Sequence, residues 1–127
     1  MTTTTLIGLC GPAGCGKDSV RSMLEMHADF AGLAFAEPMR AMLRELLTTN
    51  GVNDDYITRR DLKETPIPGL GASYRHMAQT LGTEWGRQCL GADFWLNVAS
   101  TYMADLRGQG YRKFVVSDVR FANEAAW

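Results

Sequence analysis

The chain has 127 residues, 46% hydrophobic and 21% charged, the proportions of a folded globular protein and not of a disordered or fibrous one. With 13 Lys and Arg against 14 Asp and Glu, the formal charge of −1 gives no argument for bulk binding of polymeric nucleic acid, so any phosphate recognition is expected to be local. Three cysteines without metal-ligand spacing, Cys10, Cys15 and Cys89, suit a reducing cytoplasm, and neither a basic export region nor a membrane-length apolar run is present.

Leu6 to Cys10 predicts a short buried strand closed by a Gly/Pro turn. From Asp18 the period becomes helical, with Val20, Met23, Leu24 and His27 on one stripe and His27 read as a packed histidine. Ala31 to Phe35 is a second apolar run. Pro38 then suits the first turn of a helix with Met39, Met42, Leu43, Leu46 and Leu47 on its apolar side. Strand, helix, strand, helix is the start of an α/β fold with a parallel sheet.

Residues 48–73 change character, carrying Gly51, Pro66, Pro68, Gly69 and Gly71 among many charges. They read as a flexible, substrate-proximal loop with a short helix around Asp54 to Leu62, since long loops in compact domains are usually covers or mobile segments. A helix from about Tyr74 to Cys89 would bury Tyr74, Met77, Ala78 and Leu81. Another, Asp93 to Arg107, places Trp95, Val98, Ala99, Tyr102 and Leu106 on one side and is ended by Gly108 and Gly110. Phe114 to Ser117 is a strand, followed by Asp118-Val119-Arg120 and the first turn of a helix.

The sharpest motif is Gly11-Pro12-Ala13-Gly14-Cys15-Gly16-Lys17, a G-x-x-x-x-G-K phosphate loop between a predicted strand and a predicted helix. Glycines let successive N–H groups face one concavity, the helix adds its positive end, and Lys17 supplies a mobile charge for β- and γ-phosphates. Asp18 stands where a Ser or Thr normally ligates Mg²⁺, with Ser19 next; a carboxylate also holds that ion, directly or through water. Cys15 lies in the nest and reads as a small side chain filling a tight loop. Asp118, at the end of a second strand, meets the requirement for an acid serving Mg²⁺, with Arg120 two residues on.

Four stretches carry a family resemblance: the Gly11 to Ser19 loop in its lysine-aspartate form, Phe35-Ala36-Glu37-Pro38-Met39-Arg40, Arg75 to Trp85, and Val116-Ser117-Asp118-Val119-Arg120. In this order they resemble the phage-type deoxynucleoside monophosphate kinases over almost the whole chain, and the Gln79 to Thr83 element is the most specific part. The resemblance implies transfer of the γ-phosphoryl of ATP, with Mg²⁺, to a deoxynucleoside monophosphate. It implies donor-phosphate contacts from Gly11, Ala13, Gly14, Cys15, Gly16, Lys17, Asp18 and Ser19, and metal contacts from Asp18, Ser19 and Asp118. Lys17, Asp118 and Arg120 would be catalytic, while Arg40, Arg75 and Gln79 would hold the acceptor.

The implied architecture is a parallel sheet with helices on both faces in the order 2-3-1-4-5. Only strands 2-3-1 are visible, so the chain is expected to be the N-terminal two-thirds of one kinase domain, with strand one left at an edge. Partners would be small nucleotides, with no membrane, and self-association stays open. Arg75, Gln79, Thr83 and Arg87 recur every four residues, one polar stripe drifting by about 40° per step on an α-helix. Arg59, Arg60 and Lys63 are available to a closing loop over the acceptor. Two rivals stay open: a phosphomevalonate-kinase-like enzyme, which shares the lysine-aspartate loop and Asp-x-Arg, and a nucleotide-binding but inactive fragment.

Overall fold

The computed structural model describes residues 3–12 and 14–127. In chain order the elements are β1 (Thr5–Gly8), α1 (Lys17–His27), β2 (Ala31–Leu33), α2 (Glu37–Thr49), α3 (Asp55–Thr58) and α4 (Tyr74–Gln79). A π-helical segment, Thr80–Leu90, continues α4, and α5 (Phe94–Gly108), β3 (Lys113–Val116) and α6 (Ala122–Ala125) follow. The chain divides into two compact units: the described residues up to Phe35 with Asp93–Trp127, and Ala36–Ala92.

The first unit is α/β. Its sheet has three parallel strands in the order β1-β3-β2, so the strand latest in sequence is central, as the 2-3-1 order requires. Register is Gly8 opposite Val116 on one side and Leu33 opposite Val116 on the other. Phe114, Val115 and Val116 are buried, because a central parallel strand is covered along its hydrogen-bonding edges and its faces. α1 packs against β2 and β3. Trp127 closes the unit, its indole N–H donating to Ser100 Oγ at 2.8 Å and its ring meeting Phe35 edge-on.

Three expectations for this unit fail. Leu6 to Cys10 is not a buried strand: among the described residues β1 pairs with β3 alone, and Leu6 is exposed. A strand with one neighbour lacks the cover that a central strand receives. α1 buries no residue completely, and His27 is exposed and not packed. On α5 the buried side is Trp95, Leu96 and Ala99, while Tyr102 is exposed, so the buried stripe is rotated from the predicted one.

The second unit is helical. Leu43, Leu47, Ile57, Ile67 and Tyr74 form its core, with Met77, Ala78 and Leu81 packed beside them. The α2 stripe is narrower than its hydrophobic pattern, since Met39, Leu43 and Leu47 are buried and Met42 and Leu46 are exposed. Ile57 and Ile67 belong to residues 48–73, so this Gly/Pro-rich stretch supplies core side chains. Its helix is shorter than the sequence suggests, one turn at Asp55–Thr58. The predicted helix from Tyr74 changes winding at Thr80, from i→i+4 to i→i+5 bonding. A four-residue step overshoots a full turn in an α-helix but falls short in the wider π form, so the polar stripe does not keep one direction. No helix is long and apolar enough to cross a membrane among the described residues.

Candidate active site

The glycine-rich loop joins β1 to α1 at the carboxyl end of the sheet, where ligands of open α/β sheets bind. Gly14 has φ 81° and Gly16 φ 96°, left-handed conformations that side-chain-bearing residues adopt only with strain. Gly16 caps α1 without a side-chain bond, and the first amides of the helix have no partner among the described residues, an arrangement suited to an anion. Lys17 Nζ reaches back across the loop and donates to the Gly11 carbonyl at 2.7 Å. Cys15, an exposed thiol, lies against Gly11, where an added Cβ would come within 2.8 Å of Sγ. Asp18 and Ser19 are exposed in the first turn, and Asp18 suits the positive helix end. Ala13 lies outside the described residues.

Asp118 is set beside this loop by the sheet itself. Leu9 N–H donates to Val116 O at 2.8 Å, and Val119 N–H donates to Leu9 O at 3.1 Å, carrying the β1–β3 pairing past the strand ends. The half-buried Asp118 carboxylate accepts from Phe35 N–H at 2.7 Å. Its position is therefore fixed from both neighbouring strands.

Arg120 is exposed, and its guanidinium has no partner among the described residues. Its backbone is held, because the buried Glu124 carboxylate accepts from Arg120 N–H at 2.8 Å and Phe121 N–H at 3.0 Å. Glu124 is a contributor that the motifs do not reveal. A glutamate at the third helical position bonding back to the cap is a known start signal, but Phe121 in place of a polar cap hides it.

Arg40, Arg75 and Gln79 belong to the second unit. Arg40 sits in the first turns of α2, exposed and with no guanidinium partner among the described residues. Arg75 and Gln79 share one face of α4 at i, i+4 spacing, both exposed. Arg75 Nε lies 3.1 Å from Glu64 Oε1, an exposed ion pair, and Arg75 N–H donates to Lys63 O at 3.0 Å. Of the loop cations, Arg59 is taken by Asp61 through contacts of 2.6 and 3.1 Å. This hydrogen-bonded pair raises the Arg59 pKa and holds the Asp61 carboxyl below its ordinary range. Lys63 lies over the Tyr74 ring.

Among the described residues no cluster of three or more His, Cys, Asp or Glu could hold a metal ion unaided. Mg²⁺ in phosphoryl-transfer sites uses one or two carboxylates, phosphate oxygens and water, and the fixed Asp118 carboxylate with Asp18 at the helix start fits that limited requirement.

The chain is 30% identical over 129 residues to a protein of Acanthamoeba polyphaga mimivirus named "Putative deoxynucleotide monophosphate kinase", the match covering 94% of this chain. The chain is thus similar in sequence to a protein whose name is that of a nucleotide kinase. The chain spans 66% of that protein's length. No protein-family model matches the chain, and no solved structure matches it significantly.

Proposed function

We propose that the protein transfers the γ-phosphoryl group of ATP to a deoxynucleoside monophosphate, giving ADP and the deoxynucleoside diphosphate. The observation that carries this reading is the pairing of two features at adjacent strand ends: a glycine loop crossed by Lys17, and Asp118 fixed by Phe35 N–H. The name borne by the mimivirus relative supports the acceptor class.

Phosphoryl transfer needs little covalent help from a protein and much charge neutralisation in a fixed geometry. The amides of Gly14, Cys15 and Gly16 and the start of α1 would receive the donor phosphates. Lys17 would leave the Gly11 carbonyl for the β- and γ-oxygens, exchanging a neutral acceptor for a charged one. Bound Mg²⁺ would supply further neutralisation of the transferring group, held from the protein side by Asp118 and by Asp18 or Ser19. Arg120 offers a guanidinium without a partner among the described residues, on a backbone held by Glu124. Arg40 and Arg75 would grip the acceptor phosphate, where a planar fork binds two oxygens at once, and Gln79 would contact the base. The acceptor phosphate must replace Glu64 beside Arg75. Residues 48–73 would lie close to the acceptor, and their closure would exclude water.

ADP release, measured with each common deoxynucleoside monophosphate and with phosphomevalonate, tests the proposal. Turnover with a deoxynucleotide is expected, and Arg75→Met should raise the acceptor KM by about ten-fold or more, the loss of a charge-assisted bond. Turnover confined to phosphomevalonate, or ATP binding with no turnover, would overturn it.

A further inference from the structure

Arg21 is a charged residue that the phosphate chemistry does not use, yet its side chain is only 20% exposed. It leaves α1 one turn after Lys17. Its Nε donates to Glu25 on the same helix at 3.1 Å, and its Nη1 donates to Ser117 Oγ at 3.1 Å. Ser117 is buried at the end of β3, immediately before Asp118, and its N–H and Oγ both donate to Leu33 O of β2. One guanidinium therefore ties the helix that follows the phosphate loop to the point where β2 and β3 end.

Gly32 keeps the space for it. A Cβ there would collide with Nε and lie 2.7 Å from Nη2 of Arg21. A glycine inside a strand usually weakens it, and a close approach of another group is one reason for its presence. Glu25 fixes the orientation of the guanidinium from the helix side, so the bridge is built from three elements and not from an accidental surface pair.

We propose that Arg21 is a positioning residue that locks α1 to the end of β3, holding Lys17 and Asp118 at one fixed spacing. Phosphoryl transfer is sensitive to such spacing, because misplacement by about 1 Å costs up to about 100-fold in rate. The rate measurement rests on the kinase reading above; the exchange measurement below does not.

The test uses the full chain with Arg21→Met, Ser117→Ala and Gly32→Ala, each assayed at a temperature where circular dichroism shows it folded. Both Ser117→Ala and Gly32→Ala leave the charge in place; the first removes the bridge together with the long 3.5 Å bond to Leu33 O, and the second displaces the guanidinium. Each variant is expected to lose about ten-fold or more in kcat while its Kd for ATP without Mg²⁺ stays within about two-fold. The Arg21→Met/Ser117→Ala double variant should be no worse than Arg21→Met alone, because both changes remove one contact. Hydrogen exchange should show the amides of residues 14–19 and of 117–119 opening together in Arg21→Met. A kcat unchanged in the folded variants, multiplying effects in the double variant, or faster exchange confined to α1 would each overturn the proposal. Absence of turnover in the wild-type chain would defeat the kinase reading instead, leaving this proposal to the exchange result.

Discussion

β1 and β3 are neighbours in one sheet, joined residue for residue from Thr5–Lys113 to Gly8–Val116, yet they live in different environments. Phe114 and Val115 of β3 are 0% exposed, whereas Leu6 of β1 is 39% exposed. The hydrogen-bonding pattern is shared, so it does not cause the difference. Position in the strand order does: β3 has a partner on each side and β1 has one among the described residues. The helix that follows β1 repeats the contrast, with Val20, Met23 and Met26 of α1 exposed. In the proposed function the two strands nevertheless serve one site, the exposed strand delivering the glycine-rich loop and the buried strand Asp118.

The largest expected effect is on stability. Phe114→Ala should cost about 3–5 kcal/mol, the range for deleting a buried aromatic side chain. Leu6→Ala should cost about 1 kcal/mol or less, because much of that side chain already meets water. Urea denaturation of the two variants measures the contrast directly. Equal losses would show that β1 is covered in solution, and the comparison would have to be redrawn.

A smaller effect sits on the second unit. The Arg59–Asp61 pair is fully exposed, and its acid is held below the ordinary value of 3.8 by the hydrogen bond from Arg59. A depressed carboxyl contributes stability above its unfolded pKa and loses that contribution as pH falls through the folded one. Asp61 should therefore titrate below an ordinary aspartate, and Arg59→Gln should raise its midpoint in an NMR pH series. The change in unfolding midpoint at neutral pH should be close to nil, as for most exposed pairs.

Much of the first unit was legible in the sequence because its signals are local. The Phe-Val-Val run needs only β-branched and aromatic side chains to read as a strand, and the glycines with Lys17 need only their spacing. The exposure of β1 is not local, since Leu-Ile-Gly-Leu reads as buried until the strand order is known. His27 misleads for the same reason: its helical spacing is right, but the face it shares is not covered. The winding change at Thr80 escapes a pattern search because four-residue spacing is itself an α-helical signal. Arg21 and Glu25 at i, i+4 look like an ordinary surface pair, and only the strand glycine at position 32 hints that something approaches closely.

The most direct test follows radioactive phosphate from γ-labelled ATP through the wild-type chain, Lys17→Ala and Asp118→Asn with a deoxynucleoside monophosphate present. The account predicts label in the deoxynucleoside diphosphate with wild type, and a loss of about 100-fold or more in each variant, as expected when one electrostatic partner of the transition state is removed. Label that appears only in inorganic phosphate, or transfer that survives both substitutions, would contradict it.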